Sequence, residues 1–114
     1  MNERAPWQEG SNWYVFRDPD EKSYYAADLT AELADRATTP RTTGALELVL
    51  IGVVQLEAPQ IQIVTIAGVQ RTYAIAFLGG TESEPPADWK WTARVTCANG
   101  ERFDKTTHFR RRDT

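Results

Sequence analysis

The chain is short of the residues on which much protein chemistry runs. Its 114 residues include one cysteine, Cys97, one histidine, His108, and one methionine. A single cysteine excludes an intramolecular disulfide, whereas small secreted domains commonly carry several. Serine is scarce too. Ser11, Ser23 and Ser83 lie in expected arm, turn and loop, with no nucleophile-elbow motif around any of them. The longest apolar run, "LVLIGVV" at 48–54, is far shorter than the roughly 20 residues a bilayer-spanning helix needs. The opening "MNERAPWQEG" lacks the apolar region of an export signal. Folding in a reducing cytosol is therefore expected. Neither internal repeats nor a low-complexity tract is present. The net charge of −3 shows no excess of basic residues, so neither a nucleic acid nor a membrane is expected as a partner.

What is present reads as β structure. A hydrophobic fraction of 41% and a charged fraction of 25% fall in the globular range, and the length suits one domain. Residues 1–12 are polar with one proline and one glycine, and are expected to form a flexible N-terminal arm. Residues 13–114 are expected to form a single β-sandwich domain. "WYVF" at 13–16 is β-prone and reads as a first strand or a docking anchor. "RDPDE" is a turn, because proline fixes its own φ and restrains the residue before it. Residues 28–37, "DLTAELADRA", read as a short helix capped by Asp28, with Leu29 and Leu33 on one face.

From residue 45 the pattern is continuous strand and turn. Gly52 interrupts "ALELVLIGVVQLE" and marks a bulge or sharp bend. "IQIVTI" and "VQRTYAIAFL" alternate on either side of a turn at Ala67 and Gly68. Val69, Arg71, Tyr73, Ile75 and Phe77 share one face. "GGT" at 79–81 lacks the lysine of a phosphate-binding loop and reads as a turn at a strand end. Strands at short, regular spacing with one short helix point to a mainly β, antiparallel sandwich or barrel.

The last hairpin specifies its own register. A two-residue turn at Asn99 and Gly100 would set Val95 against Asp104, mixing apolar and charged partners. A three-residue loop of Ala98, Asn99 and Gly100 sets Val95 against Phe103, Arg94 against Asp104, Thr92 against Thr106 and Trp89 against Phe109. That register separates core from solvent and places Gly100 where a left-handed residue is needed. Trp89, Trp91, Ala93, Val95, Phe103 and Phe109 then form the core face. Lys105 is the exception on it, expected to snorkel at an edge.

The stretch "FRDPDEKSYYAADLTAEL" gathers Asp18, Asp20, Glu21, Asp28 and Glu32 within residues 16–33. It lacks the glycine and the twelve-residue spacing of a calcium loop, so it reads as a structured, solvated turn. Cys97 and His108 fall on opposite faces of the final hairpin, outside the reach a thiol–imidazole pair needs. No catalytic residues, no metal and no cofactor are expected. Charge is unevenly spread, with three basic against eight acidic side chains in residues 1–35 and ten against eight in residues 36–114. The two ends are complementary, which suits either anchoring of a terminus or contact between copies. Trp7 and Trp13 lie in polar surroundings and suit anchoring to a partner. The basic run Arg110, Arg111 and Arg112 suits a solvated tail or an acidic neighbour.

These segments resemble a family of small bacteriophage virion proteins described as fibre–tail adaptors. The resemblance runs over about residues 15–110. It rests on "RDPDE" where the family has K-D-P-D-E, then Tyr24 or Tyr25, Asp28 and Leu33, and later "FLGGT", "WTARVTCANGER" and "FDKTTHFRRR". Arginine replaces the family's first lysine, an "ESEPPAD" insert follows "GGT", and the final turn has one more residue before its glycine. The resemblance implies an immunoglobulin-like module without enzymatic activity, joining a phage tail or neck to fibres or neighbouring tail proteins in a multi-copy ring. It implies the virion as location, with the host cytoplasm before assembly. The expected interface residues are Trp7, Trp13, Phe16, Asp18, Asp20, Arg110, Arg111 and Arg112. Two other classes fit a small sandwich. One is a capsid decoration protein; the other is a carbohydrate-binding module, which needs exposed coplanar aromatics.

Overall fold

The computed structural model describes residues 6–10, 12–17, 21–80 and 88–111. Nine strands and one helix follow in the order β1 (Trp7–Glu9), β2 (Asn12–Arg17), β3 (Ser23–Asp28), α1 (Thr30–Asp35), β4 (Leu46–Ile51), β5 (Val53–Gln55), β6 (Gln60–Ile66), β7 (Val69–Gly80), β8 (Lys90–Thr96) and β9 (Arg102–Arg111). They form two sheets. One has the order β1-β2-β9-β8-β4; the other has the order β3-β7-β5, with β6 also paired to β7.

The fold is mainly β, a sandwich with one short helix. Its sheets are not purely antiparallel, because β2 runs parallel to β9. A second departure concerns the expected arm. Trp7–Glu9 forms a strand paired antiparallel to β2, with Trp7 opposite Tyr14 and Glu9 opposite Asn12. Aromatic residues on both strands supply cross-strand contacts that a polar arm would lack. Residues 1–5 and 11 of that arm lie outside the described residues.

The core is built from unlike faces. Ala27, Ala74, Ala76 and Leu78 face inward from the β3–β7 sheet, while Trp89, Trp91, Val95, Phe103 and Phe109 face inward from the other. Small residues on one layer leave room for tryptophan on the other, as close packing requires. On β7 the buried face is therefore the alanine one. The bulky set Tyr73, Ile75 and Phe77 lies outside and is half-buried; Phe77 packs on Tyr24 with ring centroids 4.4 Å apart.

The final hairpin has the register that sequence alone favours. Val95 pairs with Phe103, Arg94 with Asp104 and Thr92 with Thr106. Arg94 Nε donates to Asp104 at 3.0 Å, and the Thr92 and Thr106 hydroxyls lie 2.8 Å apart. Gly100 takes φ 91° in the turn. Lys105 departs from expectation. β9 lies between β2 and β8, so there is no sheet edge to snorkel from. Its ammonium instead meets Glu32 of α1 at 2.7 Å and sits 5.0 Å over the Trp13 ring.

Gly52 is the corner of the sandwich. β4 pairs with β8 in one sheet, β5 pairs with β7 in the other, and the chain crosses between them at φ 81°. That dihedral is costly for any residue with a Cβ. Gly79 and Gly80 are not a turn. They continue β7 and pair with Val54 and Val53, and a Cβ at Gly79 would stand 3.1 Å from Leu56.

Helix α1 is shorter than residues 28–37. Asp28 still belongs to β3, and its Oδ1 accepts from the Thr30 N–H at 3.0 Å and the Thr30 hydroxyl at 2.6 Å. Asp28 therefore shapes the turn before the helix, and Leu29 holds the cap position without a side-chain bond. Leu29 and Leu33 are buried, as their spacing requires. Ala37, at φ 49°, ends the helix. Among the described residues, no helix is long and apolar enough to cross a membrane.

Candidate functional site

Three of the residues expected at an interface come together on one outer face. Alternation along β2 sends Val15 and Arg17 inward and Tyr14 and Phe16 outward. Pairing then places Trp7 beside Tyr14, Tyr14 beside His108, and Phe16 beside Arg110. The Trp7 ring lies 4.7 Å from Phe16 and 6.0 Å from Tyr14, and Tyr14 lies 5.4 Å from His108. The Arg110 guanidinium sits 4.3 Å over the Tyr14 ring.

Glu9 closes this cluster. Its carboxylate accepts from the Trp7 indole at 2.6 Å and from Arg110 at 2.9 Å. The indole hydrogen bond, with Arg110 beside it, holds the Glu9 carboxyl below its usual range despite some opposing desolvation. The complementary charge of the two chain ends is thus partly used inside the molecule. Arg110 ties β9 to β1 and is not a free tail. Phe16 remains 40% exposed, so the cluster presents an apolar ring beside the Arg110–Glu9 pair.

The other expected residues separate from it. Trp13 faces the interior side of β2 and lines a cavity of about 250 Å³ with Pro6, Ala26, Tyr73, Lys105 and Thr107. It is a packing residue at the open end of the sandwich, not a protruding anchor. Arg111 pairs with Arg17 at the end of the parallel ladder. Asp18, Asp20 and Arg112 lie outside the described residues. Cys97 is buried at the end of the core face, with its thiol pushed up mainly by burial, while His108 is on the outer face. Among the described residues, no three His, Cys, Asp or Glu side chains group as metal ligands do.

Two features escaped the sequence reading. His108 and Arg110 reach Tyr14 and Glu9 only because β2 and β9 are parallel neighbours, a pairing between chain ends that no local pattern announces. The second is a buried polar node. Arg17 is fully buried, donates to the Tyr25 hydroxyl at 2.8 Å and the Glu21 carbonyl at 2.7 Å, and lies 5.5 Å from the Phe109 ring. Its position beside "DPDE" gave no hint of burial.

No protein-family model, curated protein or solved structure matches the chain.

Proposed function

We propose that this chain is a non-enzymatic bacteriophage virion protein, a tail or neck adaptor that joins the tail to fibres or neighbouring tail proteins in several copies. The observation that carries the reading is the outer face of β1, β2 and β9, where Trp7, Tyr14 and Phe16 are presented beside Arg110. Aromatic and arginine side chains together are the commonest anchors of protein interfaces. The sequence resemblance supplies the assembly, and the pairing of β1, β2 and β9 supplies the mount for this face. The Trp7 ring is inclined by 27° to Tyr14 and by 41° to Phe16, so the three rings are not coplanar, which disfavours a flat sugar-stacking platform.

Incorporation into particles tests the reading. Phe16→Ala, which alters an exposed ring on an otherwise intact strand, is expected to lower the copies recovered per purified particle. A density map of the particle is expected to place this face against a tail or neck protein. Full incorporation of the variant, with the protein found as isolated copies on the capsid shell, would favour decoration instead.

A further inference from the structure

The hairpin of β6 and β7 offers a strand edge with unusual chemistry. From Ala58 to Gln70 the sequence carries no charged residue, and Ile63, Ile66 and Val69 are each more than half exposed. Sheet edges are ordinarily protected by charge, proline or a covering element. Among the described residues, β6 pairs with β7 and with no second strand. At its base, residues 59–61 look across an open cleft of about 440 Å³ towards residues 41–46.

The turn fixes which backbone groups are free. Ala67 at φ 52° and Gly68 at φ 80° form a two-residue turn of the mirror-image type, flanked by the pair Ile66 and Val69. In such hairpins the flanking pair is hydrogen-bonded, and the bonding alternates from there. Ile66, Val64 and Gln62 therefore bond to β7. Ile61, Ile63 and Thr65 turn their N–H and C=O groups away from it. Thr72, opposite Ile63, confirms the parity. Its N–H donates to Thr30 Oγ1 at 3.0 Å and its C=O accepts from Leu29 at 2.8 Å, both on the side away from β6.

We infer that β6 pairs antiparallel with β6 of a second copy, about a two-fold axis at Ile63. Only odd-numbered residues can bond across that edge. Centring on Ile63 sets Ile63 against its own copy and Ile61 against Thr65 twice, so all three free residues of each strand are used. The same register sets Gln62 against Val64. A two-fold pairing places each side chain near its own image or that of a near neighbour, so any charge on the strand would repel itself. This strand carries none, and that neutrality is what selects a second copy over a charged partner strand. The inference does not rest on the adaptor reading, because the isolated protein is expected to pair.

Sedimentation equilibrium over a range of concentrations tests it. The wild-type chain is expected to show a monomer–dimer equilibrium. Ile63→Lys and Ile63→Glu are each expected to weaken it by about tenfold or more, since like charges then meet across the axis. Mixing the two variants in equal amounts is expected to restore dimers. Hydrogen exchange supplies the second readout. The amides of Ile61, Ile63 and Thr65 should gain protection as the wild type dimerises, while those of Gln62 and Val64 are protected in monomer and dimer alike. A monomeric wild type overturns the proposal, as does a dimer that Ile63→Lys leaves intact. Failure of the mixture to pair, with both variants folded by circular dichroism, overturns the register.

Discussion

Arg17 Nη1 donates to the hydroxyl of Tyr25 at 2.8 Å inside the sandwich, and that hydroxyl in turn donates to the Glu21 carboxylate at 2.8 Å. The chain thereby ties the end of β2 to the start of β3, across the connection between the two sheets. Acceptors for Nη1 and Nη2 and aromatic rings around its faces offset the cost of burying this guanidinium, while its Nε has no hydrogen-bond partner among the described residues. Here Tyr25, Trp89 and Phe109 surround it at 5.5 to 6.0 Å.

Tyr25→Phe is expected to destabilise the fold by about 1–3 kcal/mol, because it strips a buried donor of its acceptor. Chemical denaturation at pH 7 measures this, and the double variant with Arg17→Met should recover part of the loss.

The same tyrosine makes stability sensitive to alkali. Burial, assisted by Glu21 and opposed by Arg17, pushes the Tyr25 hydroxyl far above its ordinary value near 10. The unfolded chain therefore loses this proton first. The contribution is intact below about pH 10 and is lost as pH rises further. Between pH 9 and 11 the wild-type stability is expected to fall more steeply than that of Tyr25→Phe in urea titrations.

Lys105 and Glu32 form a part-buried ion pair, at 2.7 Å, and the second Glu32 oxygen, Oε1, is buried without a hydrogen-bond partner among the described residues. Lys105→Met leaves that carboxylate without its ammonium partner. The expected cost is about 2–4 kcal/mol, somewhat below that of a fully buried pair because both side chains keep some solvent contact. Adding Glu32→Leu should restore most of it. Thermal melts of the two single variants and the double variant decide the coupling.

How much of this was legible depended on whether a signal was local. The β8–β9 register followed from one hairpin in which a shift of one residue would have set Val95 against Asp104. The alternation of β6 and β7 was equally plain, but which face was buried was not. Bulk favoured Ile75 and Phe77, yet the core took Ala74 and Ala76, because the tryptophans opposite already filled the space. The parallel pairing of β2 with β9 joins residues nearly a hundred positions apart and leaves no trace in either segment. Nothing in the sequence around Arg17 marked it for burial, and Lys105, expected to snorkel at an edge, was found inside the sheet. The outer face could be assembled from Trp7, Phe16 and Arg110 only after the fold had made them neighbours.

Gly52 carries the passage from β4 to β5, and its positive φ admits few side chains. Gly52→Ala is expected to destabilise by about 1–2 kcal/mol, and Gly52→Val by more, since a β-branched residue tolerates that conformation least. Both variants should retain the wild-type dependence of stability on denaturant concentration if the damage is confined to the corner.

The last expectation separates what Trp7 does for the fold from what it does for a partner. Trp7 lies partly buried on Tyr14 and Phe16, and β1 is held by β2 and by the bond from Arg110 to Glu9. Removing residues 1–10 should therefore lower the melting temperature by several degrees; a wholly flexible arm would leave it unchanged. Arg110→Ser removes an exposed pair and should shift the melt little. In particle incorporation the order is expected to reverse in character. Arg110→Ser should weaken attachment at low ionic strength, and added salt should erase the difference from wild type. Phe16→Ala should weaken it at every ionic strength, because a lost apolar contact is not screened. If salt alters the Phe16→Ala defect as much as the Arg110→Ser defect, charge and not the aromatic cluster governs attachment, and the face has been assigned the wrong anchors.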